Sequence, residues 1–280
     1  MNIKEILEEA VTNLKENKIE EANLKAKILL AFTLKVSKEY LIINNDKEIS
    51  QEHISEFNNY LNEIKQGKPL QYITGKQEFM GIEFNVNENV LIPQPDTEIL
   101  VEKTIEIIQK SNNAKVLDLC TGSGAIAISI AESCLNAEVL ASDISKEALE
   151  VAKSNDINKR VKFIQSDLFK SITEKFDVIV SNPPYIKTKE IELLSKEVQN
   201  EPQLALDGGE DGLDFYKKII DQVPEFLKEN GYLCLEIGED QKEEVVALLE
   251  NNGKYNNIKV YKDLGDNYRV IICTLKEKVI

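Results

Sequence analysis

The chain reads as an α/β protein: a small all-helical N-terminal domain, a β-hairpin linker, and a doubly wound, mostly parallel seven-stranded sheet. Three observations predict this. Apolar residues recur at helical spacing as far as Lys65. From Leu70 to Val90 the pattern becomes short extended runs broken by Gly75 and Gly81, which suits a pair of strands. From Val116 onward, short apolar strands alternate with helical stretches, the arrangement that implies a parallel sheet covered on both faces. The expected boundaries are 1–69 for the helical domain, 70–95 for the linker and 96–280 for the sheet domain.

Each element has a local reason. Ile3, Ile6, Leu7, Ala10, Val11 and Leu14 form one helical face, and Ala22 to Leu34 a second helix. A third runs from about Gln51 to Lys65, with Ile54, Phe57, Tyr60, Leu61 and Ile64 on one face and Gly67 as its stop. Pro93 and Pro95 punctuate the entry to a helix from Thr97. Strands are expected at Val116–Leu119, Ala137–Ser142, Val161–Ser166, Asp177–Ser181 and Tyr232–Ile237, with two terminal runs at Ile258–Tyr261 and Arg269–Leu275. Helices fall at Ala125–Ala131, Lys146–Ala152, Gly212–Lys228 and Gln241–Leu249. No helix separates the last two strands, so one of them should run antiparallel to the rest.

Composition excludes several classes of function. Hydrophobic residues make up 42% and charged residues 30%, as in ordinary soluble globular chains. The N-terminus is charged from Lys4 onward and lacks the apolar core of a secretory signal, and no apolar run approaches the length of a membrane span. The four cysteines, Cys120, Cys134, Cys234 and Cys273, lie far apart and read as reduced core thiols of a cytoplasmic protein. His53 is the only histidine, which removes Ser-His-Asp triads, Cys-His pairs and histidine-based metal sites. The net charge is −15, with only two arginines, Arg160 and Arg269. Residues 1–75 hold ten lysines against twelve acidic residues, so most of the negative charge lies in the rest of the chain. Such a chain argues against direct nucleic-acid binding, which draws its affinity from neutralised phosphates.

Val116 to Ala127 reads as a strand, a tight glycine turn and the start of a helix. Gly122 and Gly124 let the backbone approach a ligand closely, where a side chain would collide. Asp143 ends the next strand, 21 residues after Gly122, where a carboxylate can accept both hydroxyls of a ribose. Nicotinamide, flavin and S-adenosylmethionine sites all share this geometry. Asp118 either supports the loop or approaches the amino group of a bound cofactor. Asp167 falls where an adenine ring would lie, and Leu168 and Phe169 either pack on that ring or, for Phe169, belong to the core.

At the end of the fourth sheet strand stand Ser181-Asn182-Pro183-Pro184-Tyr185-Ile186. Two prolines lock an extended backbone and strip it of donors. The Asn182 side chain and the Pro183 carbonyl remain as fixed acceptors at the carboxyl edge of the sheet, where doubly wound folds bind ligands. Two acceptors and the flat face of Tyr185 suit the gripping of a planar –NH2 group. The rate gain would come from positioning and electrostatics rather than from a strong base. Farther on, Glu197, Glu201, Asp207, Glu210 and Asp211 read mainly as a solvated acidic loop with a helix N-cap near Asp211, alternatively as a wall over a substrate or a docking surface for a basic partner.

With these residues in view, the chain resembles the amino-methylating, Rossmann-like class I methyltransferases. Three further stretches, Gly67 to Gly75, Val90 to Glu98 and Glu201 to Leu213, make it similar over its whole length to the bacterial peptide chain release factor glutamine N5-methyltransferases. The resemblance implies S-adenosylmethionine as methyl donor, contacting Cys120, Thr121, Gly122, Ser123, Gly124, Asp143, Leu168 and Asn182. It implies as acceptor the glutamine of the Gly-Gly-Gln motif in class 1 release factors, held by Asn182, Pro183, Pro184 and Tyr185, of which Asn182, Pro183 and Tyr185 serve catalysis. The helical domain would help recognise that substrate, and the enzyme would work as a monomer without metal. Cys120 stands where the family commonly has glycine, Gln94 where it has arginine, Asp96 where it has glutamate and Leu168 where an aromatic occurs.

Three other readings use the same motifs. An N6-adenine or guanine-N2 methyltransferase would present a flipped base to the tetrapeptide, but the charge and the two arginines count against it. A dehydrogenase lacks a hydride-handling histidine or lysine in register. A non-catalytic binding module has no use for Asn182 to Tyr185.

Overall fold

The computed structural model describes residues 1–277 in two compact units; residues 278–280, the end of the expected sheet domain, lie outside the described residues. The first unit comprises Met1–Gly75 together with Ser195–Asn200. Its helices are α1 (Ile3–Glu16), α2 (Ala22–Leu34), α3 (Lys38–Ile43), α4 (Gln51–Lys65) and α5 (Leu70–Thr74). Asn2 and Glu5 form a reciprocal capping box on α1, each bond 2.9 Å long. Ser50 caps α4 by accepting from the His53 amide, and its hydroxyl lies 3.0 Å from His53 Nδ1. The lone imidazole is thus part of a helix cap. The core joins Ile3, Ile6 and Leu14 to Leu29, Leu30, Phe57 and Ile64.

Two helices of this unit depart from expectation. α3 has one buried residue, Leu41, and exposes Ile42 and Ile43, so it carries no amphipathic period to read. Residues 70–74, expected to be extended, are helical. Pro69 stands at the N-cap, and Gly75, at φ 73°, supplies the left-handed stop.

The second unit holds Lys76–Leu194 and the described chain from Glu201 onward. It opens with the hairpin β1 (Lys76–Phe79) and β2 (Ile82–Asn85), turned at Met80 and Gly81, both with positive φ. The expected linker is therefore divided, its first residues joining the helical unit and its hairpin this one. Phe79 and Phe84 meet edge to face at 6.2 Å and are buried beside Leu100 and Val101. Asn155 exchanges two bonds with the Asn85 backbone, at 2.7 and 3.0 Å, and a third with the Ser123 carbonyl at 3.0 Å.

Next come α6 (Glu98–Ile108), β3 (Lys115–Leu119), α7 (Ala125–Ser133), β4 (Glu138–Asp143), α8 (Lys146–Asn155), β5 (Val161–Gln165) and β6 (Phe176–Ser181). The one-turn helices α9 (Lys196–Gln199, within the helical unit) and α10 (Gln203–Leu206) precede α11 (Asp214–Phe226), β7 (Leu227–Glu236), α12 (Lys242–Asn252), β8 (Tyr255–Lys262) and β9 (Tyr268–Leu275). The sheet order is β5-β4-β3-β6-β7-β9-β8, parallel except at β9, which runs antiparallel to both its neighbours. Alternate strand residues supply two cores. Val116, Val139 and Val178 share one with Leu100 and Ile126, while Leu117, Ile179 and Leu233 share the other with Tyr216 and Val245.

α11 is shorter than expected because Gly212 is left-handed (φ 74°) and the chain enters β7 directly at Leu227. Pro224 lies inside α11 and cannot donate to the Ile220 carbonyl; the Tyr255 hydroxyl does so instead, at 2.6 Å. All four cysteines are free. Among the described residues no helix is long and apolar enough to cross a membrane.

Candidate active site

The strand order reverses at β3, so the loops after β3 and β6 leave side by side at the carboxyl edge of the sheet. Leu119 pairs with Ser181 in register, and the Ser181 hydroxyl donates to the Leu119 carbonyl at 2.8 Å. This joins the glycine loop to the start of Asn182–Tyr185.

The glycine loop is held from beneath by two carboxylates. Asp118 is fully buried, and its Oδ2 accepts the Thr121 hydroxyl at 2.6 Å. Burial pushes this carboxyl up to about 7, against the pull of the Thr121 hydroxyl and the Ala127 amide. Asp118 thus supports the loop through Oδ2, while its Oδ1 is buried without a hydrogen-bond partner. Asp143 accepts the Gly122 amide on Oδ2 and the Ser145 amide on Oδ1, both at 2.9 Å. Burial raises its pKa, and the amides of Ser145, Gly122 and Ile144 oppose the rise. Three amides on two oxygens still leave a lone pair for a ligand.

The two glycines turn out to have different constraints. A Cβ on Gly122 would meet nothing within 4 Å, whereas one on Gly124 would lie 3.0 Å from Ile128 and 3.1 Å from Ala152. Helix packing by itself therefore requires a glycine at 124. Cys120, where glycine is common in the resembling family, has a left-handed backbone at φ 60°. Burial pushes its thiol pKa up, away from thiolate chemistry.

A cavity of about 330 Å³ opens beside this loop. Cys120, Gly122, Asp143, Leu168, Asn182 and Pro184 line it; Thr121, Ser123, Gly124, Pro183 and Tyr185 are not among its lining residues. Thr121, Ser123, Pro183 and Pro184 are buried. Val90, Leu204 and Phe215 extend the wall with apolar surface. Asp167 also lines the cavity and pairs with Lys170 at 2.6 Å. Phe169 instead stacks on Phe226 at 4.7 Å and belongs to the core.

Behind the tetrapeptide lies machinery to which sequence reasoning assigned no role. The Asn182 amide donates through Nδ2 to the Thr97 hydroxyl at 3.3 Å. Glu236, 2% exposed at the end of β7, is raised to about 7 by burial, while the Thr97 hydroxyl, the Arg269 guanidinium and the Asn182 amide act to lower it. Arg269 ion-pairs with Asp263 at 3.1 Å and with Asp96 at 3.2 Å. Burial holds the Tyr185 phenol protonated far above neutrality, so no phenolate base is at hand. Gln94 only folds back onto the Ile92 carbonyl, at 3.0 Å.

The segment expected to be a solvated acidic loop is mostly structured. Glu197 pairs with Lys25 inside the helical unit. Glu201, 8% exposed, accepts the Ile92 amide at 2.8 Å. Asp207 accepts the Thr188 hydroxyl at 2.7 Å and the Gly209 amide at 3.0 Å, and Asp211 the Leu213 amide at 3.0 Å. Glu210 and Asp211 are exposed as expected, and Asp211 caps the approach to α11 where an N-cap is expected. Backbone bonds Ile186 N–Leu206 O (3.0 Å) and Gly208 N–Ile186 O (2.8 Å) lay this segment along the tetrapeptide. The Gly-Gly and later Gly spacing of residues 208–212 was the available signal.

A doubly wound sheet, a glycine loop over a ribose-type carboxylate and a rigid acceptor tetrapeptide together define a methyltransferase of the Rossmann-like class. Residues 95–263 match the family described as methyltransferase small domain, and residues 5–75 match the PrmC N-terminal domain. The release factor glutamine methyltransferase of Clostridium acetobutylicum is 44% identical over 97% of this chain and 98% of its own length. That of Moorella thermoacetica is 37% identical over 99% of this chain and 100% of its own. The chain belongs to the release factor glutamine methyltransferase family. A methyltransferase from Pyrococcus furiosus, 20% identical, shares the fold with a TM-score of 0.51 over 78% of this chain and 98% of that one.

Proposed function

We propose that this chain transfers a methyl group from S-adenosylmethionine to the side-chain amide nitrogen, N5, of the glutamine in the Gly-Gly-Gln motif of class 1 release factors. The observation that carries the reading is the placement of Asn182 against both the cavity and Thr97. The names of full-length relatives supply the acceptor.

The residues present fit the donor. Asp143 offers a remaining acceptor site beside the Gly122 amide for a ribose hydroxyl, and Leu168, Pro184 and Phe215 offer apolar walls for a purine. Bound there, the donor supplies an electrophilic methyl group. The chain's own part is to place and polarise the acceptor. With Nδ2 engaged by Thr97, Asn182 presents Oδ1 as an acceptor. Asn182 Oδ1 and the Pro183 carbonyl each take one N–H of the glutamine amide, and Tyr185 stacks on its plane. Two such bonds draw electron density onto nitrogen and hold it in line with the methyl carbon. As the N–C bond forms, the methyl carbon's bond to the donor sulfur would break, its electron pair staying on sulfur as a neutral thioether, and the nitrogen gives up one proton to solvent. The helical unit docks the release factor, and the protein acts as a cytoplasmic monomer without direct nucleic-acid contact, a reading supported by its charge of −15.

The test is transfer of label from S-adenosylmethionine to a purified release factor, beside a variant with the motif glutamine changed to alanine. DNA and ribosomal RNA run in parallel. Label on the wild-type factor alone is expected; label on nucleic acid would overturn the acceptor while leaving the fold intact.

A further inference from the structure

We propose that Thr97, backed by Glu236, is a positioning residue for the methyl acceptor: it fixes the Asn182 amide so that Oδ1, and not the NH2 group, faces the acceptor nitrogen. The inference rests on the reading of Asn182 given above. It concerns a problem which that reading leaves open.

The two ends of an asparagine amide are nearly equal in size, and a half-turn about the last side-chain bond exchanges an acceptor for a donor. Turned the wrong way, Asn182 would set N–H against N–H. Thr97 Oγ1 lies 3.3 Å from Asn182 Nδ2 and accepts from it. A hydroxyl alone does not fix this sense, because it can equally donate to an amide oxygen. The sense is fixed by whatever takes the hydroxyl proton.

Glu236 is placed to take it. It ends β7, the strand paired to β6, and is 2% exposed, with Oε2 buried and without a hydrogen-bond partner. An ionised carboxylate only accepts, so a Thr97 hydroxyl committed to it must turn a lone pair toward Asn182. Donors then all point one way, from the Asn182 amide to Thr97 and from both the Asn182 amide and the Thr97 hydroxyl toward Glu236. Thr97 is itself 5% exposed, so water does not offer its hydroxyl an easy alternative.

Charged and titratable groups on the surrounding elements set the state of Glu236. Arg269 on β9 favours its ionised form; Asp96, just before α6, opposes it. Asp263 and Asp96 share the Arg269 guanidinium, and Tyr185, with its phenol protonated, borders the same group. The Glu236 carboxyl titrates at about 7. Once protonated it becomes a donor, and the one-way order is lost. Methyl transfer should therefore carry an acidic limb near that value.

The experiment compares wild type, T97S, T97V and E236Q with a release factor substrate across about pH 6 to 9. T97V should lower kcat on the order of 10²-fold, with the donor Kd and the release-factor KM within about twofold of wild type. T97S, which keeps the hydroxyl, should restore kcat. E236Q should lower kcat and abolish the acidic limb. In the protein without substrate, the Asn182 Nδ2 proton resonances, identified by their loss in N182A, should shift with a midpoint near that of Glu236 and stay fixed in E236Q.

The proposal is overturned if T97V matches wild type, if T97S is as slow as T97V, or if E236Q keeps the limb. Should T97V not fold, T97S and E236Q carry the test. Wild type that labels no release factor would overturn the substrate reading instead, and the resonance titration would still decide this one.

Discussion

Gln241 holds the Tyr185 backbone: its Nε2 donates to the Tyr185 carbonyl at 2.9 Å and to the Gly212 carbonyl at 3.2 Å, while its Oε1 accepts the Gly238 amide at 3.0 Å. One side chain, 3% exposed, thus ties the tetrapeptide to the loops on either side of it. Gln241→Leu would leave those groups buried and unpaired. It should cost about 1–3 kcal/mol in stability, read by denaturant unfolding, and lower kcat more than it changes donor affinity.

Gly208 carries a second constraint on the same residue. A Cβ there would lie 2.7 Å from Tyr185 Cα and 2.9 Å from the Gly212 carbonyl, all backbone that cannot rotate away. Gly208→Ala should displace Tyr185 and reduce kcat on the order of 10²-fold, with donor binding by calorimetry unchanged. Gly75→Ala is the contrast. Its Cβ meets nothing within 4 Å, so only the φ of 73° is strained, at about 1 kcal/mol.

Asp143 and Asn182 should separate binding from chemistry. Asp143→Ala removes the acceptor for two backbone amides and the expected ribose contact, and should weaken donor binding by about tenfold or more. Asn182→Ala should abolish transfer and leave donor affinity nearly intact. Equilibrium dialysis with labelled donor, beside the transfer assay, reads both. Loss of both properties in both variants would show that the two sites are misplaced.

Asp118 predicts a pH dependence of stability. Its carboxyl binds a proton more tightly folded, at about 7, than at its ordinary value of 3.8. The stability it contributes is therefore complete below the ordinary carboxylate range and is lost as pH rises through about 7. Asp118→Asn keeps an acceptor for Thr121 and removes the buried charge. Its Tm should exceed that of wild type at about pH 8 and show no such gain at about pH 5. Equal gains at both would mean that the carboxylate is not strained by burial.

Where the chemistry sits in one continuous string, the sequence discloses it. The strand, glycine turn and helix around Gly122 need only local steric rules, and Asp143 follows from strand spacing. Thr97, Glu236, Gln241 and Arg269 were not readable as a group. Glu236 and Arg269 are brought to the tetrapeptide by the pairing of β6 with β7 and β7 with β9, Thr97 and Gln241 by the starts of α6 and α12, and no local pattern encodes which distant residues meet. The helices α3 and α5 escaped for a different reason: a segment of five or six residues completes too few turns to show a period. Glu197, Glu201 and Asp207 were misread because composition alone does not distinguish a solvated acid from one that closes a turn or pairs with a distant group.

The membership of Ser195–Asn200 in the helical unit has a consequence for anyone who would cut this protein apart. The polypeptide passes between the two units three times, after Gly75, after Leu194 and after Asn200. A single scission or a truncation beginning at Lys76 does not excise one unit whole. It strands Glu197 without Lys25 and Asn200 without the Gly67 carbonyl it meets at 3.1 Å. The stretch so released begins ten residues past Tyr185 and ends where Glu201 anchors Ile92. The substrate-gripping tetrapeptide is thus tethered, on its downstream side, to the other unit's fold. Exchange of helical units between relatives needs a graft at two places in the chain, and a fusion at one junction delivers an incomplete part.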